Sequence, residues 1–204
     1  MKLFGKSETF IEIYNNALSQ KECDMIISKF EKSKLKEGVV NHEGIREIDH
    51  RVKKCMEIDE TFLSDGSIIS RILVSALNKY TPKYEKKFES TIYLSEWSVQ
   101  DMYNVQKYDG EDDGFKEWHT EHGTGTSAAR VLAWMFYLNN AKSGTEFMHY
   151  PSVSAKAGRL VIWPAGFTHL HRGITPNRGI KYIATGWMRF TNDSLPMNKL
   201  APIK

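Results

Sequence analysis

In the stretch KEWHTEHGTG, residues 116 to 125, His119 and Glu121 stand two apart. In an extended chain that spacing turns an imidazole and a carboxylate toward one point. The pair supplies two metal ligands, and GFTHLHRG, about fifty residues on, offers further imidazoles in His169 and His171. Two histidines and one carboxylate on one face of a metal leave the opposite positions open, which suits Fe(II) that must admit a cosubstrate and oxygen. The same donors also bind zinc. An HxE is short and common, so by itself the stretch reads as a surface turn or a satisfied polar pair before it reads as a ligand pair. His122, three residues after His119, is expected at the turn or rim, as is His149.

Distant ligands need a fold that joins distant strands. From Ser90 onward the chain breaks into short β-prone runs, STIYLSEWSV, MYNVQKY, VLAWMFYLNN, TEFMHY, RLVIWPA and IKYIATGWMRF, separated by Gly, Asn, Asp, Ser and Pro. Many short strands without helical spacers predict antiparallel sheets folded into a sandwich or jelly roll. Upstream, Ser19 and Glu22 have capping-box spacing, with Ile26, Ile27 and Phe30 at helical intervals after them. A second helix is expected from Ser67 to Tyr80, with an apolar stripe from Ile68 to Tyr80 that Pro82 ends. These helices are expected to cover one outer face. The reading is one domain over 1–204, with helical support in 1–89 and the β core in 90–190.

The chain has 204 residues, 41% hydrophobic and 26% charged, and a net charge of +3. These values fit a globular domain and exclude a disordered or fibrous one. Nothing resembles a dense basic stripe interleaved with aromatics, which disfavours nucleic acid as a partner. The N-terminus lacks the unbroken apolar core of a signal peptide and no run is long enough to span a bilayer, so the expectation is a cytoplasmic protein without a membrane partner. Cys23 and Cys55 are expected to be reduced thiols without a role.

In HRGITPNRGIKYIATGW, Lys181 follows His171 by ten residues, with Gly173, Pro176, Gly179 and Trp187 around it. Here the sequence resembles the 2-oxoglutarate and Fe(II)-dependent dioxygenases, in particular the prolyl 4-hydroxylase-like branch with its small phage and bacterial members. The resemblance extends upstream to NVQKY, RVLAWMFYLNN, SGTEF and AKAGRLVIWPAG, and covers about residues 90 to 190. It implies a mainly β fold, a double-stranded β-helix of the cupin-like jelly-roll type, with the N-terminal helices packed on one sheet.

The resemblance also assigns roles. His119, Glu121 and His171 would bind iron, with His169 left as a pocket residue. Lys181 would take the distal carboxylate of 2-oxoglutarate, helped by Tyr108. Arg130 and Trp187 would be active-site residues. Fe(II), 2-oxoglutarate and O2 are the implied cofactors, with ascorbate as an accessory reductant. The implied reaction is hydroxylation of an unactivated C–H of a peptidyl residue, with succinate and CO2 as coproducts. The alternatives are a hydroxylase of a free amino acid or other small molecule, and a non-catalytic iron or 2-oxoglutarate-binding module. If the protein is phage-encoded, the implied location is the host cytoplasm. Two departures stand out: Glu121 replaces the usual aspartate, and Lys116 replaces a tyrosine near the substrate. The acidic loop DGEDDGFKE before the first ligand reads as a surface connection or a lid, and the basic segment from Arg46 to Lys54 as its facing wall.

Overall fold

The computed structural model describes residues 8–42, 45–64, 66–176 and 178–191. In chain order the elements are β1 (Glu12–Tyr14), α1 (Gln20–Glu31), β2 (Lys36–Glu37), β3 (Val40–His42), β4 (Ile45–Glu47), β5 (Lys53–Lys54), β6 (Met56–Thr61) and α2 (Ile68–Lys87). They continue with β7 (Trp97–Tyr108), β8 (Gly114–Phe115), β9 (Arg130–Tyr137), β10 (Gly144–Phe147), β11 (Val153–Ser154), β12 (Arg159–Pro164), β13 (His171–Ile174) and β14 (Lys181–Phe190). The major sheet has seven strands in the order β1-β12-β9-β14-β7-β6-β2, and a smaller sheet has the order β11-β10-β13.

Alternation along the strands gives the major sheet two apolar faces. Leu132, Trp134 and Phe136 of β9, with Leu160 and Ile162 of β12 and Ala184 of β14, pack against Ile26 and Phe30 of α1 and Ile69, Leu73 and Leu77 of α2. Their neighbours Ala133, Met135, Tyr137, Val161, Trp163 and Ile183 point the other way and meet Phe147 and Val153 of the smaller sheet. This is the expected jelly-roll arrangement with helices on one face. A Cβ on Gly186 would lie 2.4 Å from the Trp134 ring. The bare backbone there lets the indole lie against β14.

Ser19 caps α1 with both arms of the capping box, as its spacing predicts. The second helix departs from expectation, because α2 runs through Pro82 to Lys87. An internal proline costs roughly 3 kcal/mol, but Pro82 is on the exposed side, and continuing the helix buries Tyr84. A buried aromatic side chain returns a comparable amount, and the Tyr84 hydroxyl also donates to the Phe10 carbonyl at 2.8 Å.

The first ninety residues also hold more than helical support. β1 pairs with β12 at one edge of the major sheet, and β6 pairs with β7 near the other. β5 pairs with β8, which brings the basic segment 46–54 beside the residues that precede the HxE. The acidic loop is tied down by ion pairs, Lys116 to Asp112 at 2.6 Å and Lys54 to Asp113 at 3.4 Å. Among the described residues no helix is long and apolar enough to cross a membrane.

Candidate metal centre and cosubstrate pocket

His119 and His171 face each other as an isolated antiparallel bridge and exchange two backbone hydrogen bonds of 3.0 Å. The HxE is therefore not a strand of its own, as its spacing predicts, but a segment held between two anchors. Beyond the bridge the Glu121 and His122 amides both donate to the Ala165 carbonyl at 3.1 Å, and the Thr120 hydroxyl donates to the same oxygen at 2.6 Å. This pin at the end of β12 turns the Glu121 side chain back toward the two imidazoles.

One ligand atom from each of His119, Glu121 and His171 lies within 4.8 Å of the other two. Glu121 Oε1 is 3.3 Å from His171 Nε2 and 3.9 Å from His119 Nε2. His119 Nδ1 lies 3.0 Å from the Glu117 carbonyl and His171 Nδ1 lies 2.9 Å from the His169 carbonyl. A carbonyl only accepts, so each Nδ1 carries the proton and each Nε2 presents its lone pair to the centre. Such outer contacts fix the tautomer and plane of a metal-binding imidazole. Phe115 stacks on His119 with ring centroids 3.7 Å apart, and Trp163 meets His171 edge-on at 5.1 Å.

Burial, and then the neighbouring His171, pushes His119 down to about 4, which keeps it in the neutral form a metal requires. For Glu121 burial acts to raise the pKa, but the His171 and His119 rings and the Arg130 guanidinium beside it hold the carboxyl well below its usual range. The donor set thus consists of two imidazoles and a carboxylate, which fits Fe(II).

Lys181 and Tyr108 are direct partners between β14 and β7. The buried ammonium stands 4.5 Å from the Tyr108 ring centroid and, among the described residues, donates to one acceptor, the Ile174 carbonyl at 3.2 Å. Burial lowers its pKa to about 8. A buried cation with one neutral acceptor is a strong attractor for a carboxylate.

Tyr108 borders Lys181 as expected, but it offers its ring and not its proton. Lys53 donates to Glu57 Oε2 at 2.5 Å, and Gln106 Nε2 donates to the same oxygen at 3.1 Å. A carboxylate paired with lysine accepts only, so Gln106 must turn its amide nitrogen to Glu57 and its oxygen to Tyr108. The Tyr108 hydroxyl consequently donates to Gln106 Oε1 at 2.8 Å. It can then only accept from a further neighbour.

Arg130 and Trp187, expected to act in catalysis, both contact Glu121. Trp187 Nε1 donates to Glu121 Oε2 at 2.6 Å, and Arg130 Nη1 lies 3.4 Å from that oxygen and 3.2 Å from the Glu121 carbonyl. The guanidinium carbon stands 3.6 Å from the Trp187 ring centroid. His169 is buried outside the cluster, 2.8 Å from the Thr9 carbonyl through Nε2 and 2.8 Å from the Thr168 hydroxyl through Nδ1. His122 Nε2 is bonded to the Arg130 carbonyl, His149 lies in an exposed bend, and Lys116 is ion-paired with the acidic loop.

Sequence reasoning missed Phe115 and the Lys53, Glu57 and Gln106 network. Lys53, Cys55 and Glu57 alternate on one face, but charged residues at that period ordinarily face water, so nothing in the pattern marks them as buried.

Three comparisons bear on this arrangement. The model of the 2OG-Fe(II) oxygenase superfamily matches residues 103–189. No curated protein matches the sequence. Among solved structures, the viral collagen prolyl hydroxylase of Paramecium bursaria Chlorella virus-1 is similar at TM-score 0.63 and 18% identity, over 89% of this chain and 97% of that one. A prolyl hydroxylase from Trichoplax adhaerens, solved with a peptide fragment of the hypoxia-inducible factor, is similar at TM-score 0.68 and 14% identity, over 89% and 84% of the two chains. A non-haem α-ketoglutarate-dependent epimerase from nogalamycin biosynthesis has TM-score 0.61 and 11% identity, over 96% and 91%. At such identities the likeness establishes the fold, and the fold by itself hosts more than one reaction. Residues 103–189, which carry the whole His119, Glu121, His171 and Lys181 constellation, match the 2OG-Fe(II) oxygenase superfamily, and the chain shares the fold of the prolyl hydroxylases.

Proposed function

We propose that this protein hydroxylates an unactivated C–H of a peptidyl residue in the manner of a prolyl 4-hydroxylase, with succinate and CO2 as coproducts. The observation that carries the proposal is the convergence of His119 Nε2, Glu121 Oε1 and His171 Nε2, with the buried Lys181 ammonium 3.6 Å from where a Cβ on Gly173, two residues after His171, would lie. The first three would hold Fe(II), and Lys181 would bind the distal carboxylate of 2-oxoglutarate. Iron supplies oxygen activation coupled to decarboxylation of the cosubstrate. The protein's part is positional. The Nδ1 contacts keep both imidazoles in the metal-binding tautomer, Phe115 and Trp163 shield them from water, and Lys181 offsets the charge of the cosubstrate where water is scarce.

A peptide is favoured as substrate because two structures of the same fold are prolyl hydroxylases, one solved with a bound peptide. The test is succinate formation from 2-oxoglutarate by the Fe(II)-loaded protein, with anaerobic and His171→Ala controls. It is run with a panel of peptides and free amino acids scored for a 16 Da gain, the mass of one oxygen atom. Turnover with peptides supports the proposal. Turnover with free amino acids alone replaces it with small-molecule hydroxylation, and no 2-oxoglutarate consumption with any substrate replaces it with a binding module.

A further inference from the structure

We infer that Trp187 and Arg130 are positioning residues that brace Glu121, so that this longer carboxylate serves the metal through one oxygen, Oε1. The inference rests on the iron reading above and explains how glutamate works where aspartate is usual.

A glutamate has one more rotatable bond than an aspartate, and its carboxylate must be immobilised at an entropic cost before it can hold a fixed geometry. Here the two oxygens have different partners. Oε2 receives the Trp187 indole N–H at 2.6 Å and faces Arg130 Nη1 at 3.4 Å. Oε1 faces the two Nε2 atoms at 3.3 and 3.9 Å. The brace is itself held: the Arg130 guanidinium lies on the Trp187 ring, its Nη1 reaches the Glu121 backbone carbonyl at 3.2 Å, and its own carbonyl bonds His122. Two-oxygen coordination would require Oε2 to leave the only donor that an indole possesses, stranding that N–H inside the pocket. The brace thus keeps one coordination position free that a two-oxygen carboxylate would fill. A role for Arg130 as a primary substrate contact fits less well, because Trp187 covers one face of the guanidinium and Nη1 is engaged by Glu121.

The test uses Co(II) as probe in the full chain, with affinity read by calorimetry and coordination by the visible absorption of the bound ion. Trp187→Phe keeps the ring under Arg130 and removes only the donor. It is expected to weaken Co(II) binding by roughly 10- to 100-fold, the usual effect of losing an outer hydrogen bond to a metal ligand, and to change the Co(II) spectrum. Glu121→Asp is expected to weaken binding too, because the shorter arm cannot reach both the metal and Trp187. The double variant should lose little more than Glu121→Asp alone, since both changes break the same contact. Arg130→Met, expected to cause a smaller loss with the same spectral change, is the second arm if Trp187→Phe fails to fold. Binding by the folded variants within twofold of wild type with unchanged spectra, or full additivity in the double variant, overturns the brace. Failure of the wild-type protein to bind Co(II) overturns the iron reading as well, whereas wild-type binding with unaffected variants overturns the brace alone.

Discussion

Lys181 and Tyr108 stand directly opposite each other on β14 and β7, with the ammonium of the one 4.5 Å from the ring centre of the other. If Lys181 binds the cosubstrate as proposed, replacing it with methionine removes a charge-assisted bond worth about 1.5–3 kcal/mol. Calorimetry should show 2-oxoglutarate binding weakened by about 10- to 100-fold, with metal binding retained. Because burial brings the Lys181 pKa to about 8, wild-type affinity should fall as pH rises above that value. Stability follows the opposite course. Between about pH 8 and the ordinary lysine value of 10.5 the unfolded chain binds the extra proton, so this residue's contribution rises with pH across that window.

Tyr108→Phe should behave differently. The hydroxyl donates to Gln106 and not into the pocket, so 2-oxoglutarate affinity is expected to stay within about twofold of wild type. Stability should fall by about 1–3 kcal/mol in urea denaturation, the cost of leaving the buried Gln106 oxygen without its donor. A large affinity loss at unchanged stability would refute the donor direction deduced for the relay.

Lys53→Met should be costly, although the residue touches no proposed ligand. It leaves the Glu57 carboxylate buried without its cation, and breaking a buried pair from one side costs about 3–5 kcal/mol. Adding Glu57→Gln removes the stranded charge and should restore much of that stability. Chemical denaturation of the two variants provides the comparison.

The metal-free protein should lose stability in acid. His119 has its pKa lowered from 6.5 to about 4, so across that window the unfolded chain takes up a proton that the folded chain refuses. Its contribution is complete above about pH 6.5 and is lost as pH falls toward 4. Saturating Co(II) should steepen the dependence, because metal requires both imidazoles neutral. A pH-independent melting temperature between pH 4 and 7 in the metal-free protein would contradict the burial of His119.

The β core was readable because RVLAWMFY and RLVIWP are near-continuous apolar, β-prone runs bounded by turn residues, which demand two covered faces, and the structure covers both. The capping box at Ser19 was readable because it is purely local. Pro82 misled because a local rule for ending helices lost to the burial of Tyr84, which no local rule weighs. His119, Glu121 and His171, singled out by their spacing, lie together in the structure, yet the spacing did not reveal how Glu121 is held. Its anchors, Trp187 and Arg130, lie 66 and 9 residues away, and no periodic pattern links them to it. Phe115 and Lys53 were invisible for the same reason, since β5 and β8 form a two-residue pairing that leaves almost no pattern.

The bridge between His119 and His171 gives the site a built-in reporter. The two imidazoles belong to residues whose own amides exchange hydrogen bonds with each other, so an ion shared by the rings closes the same gap that the backbone closes. Separating the strands would then require releasing the ion. Occupancy should therefore appear as slowed deuterium uptake at these two amides, a signal that needs neither turnover nor a known substrate.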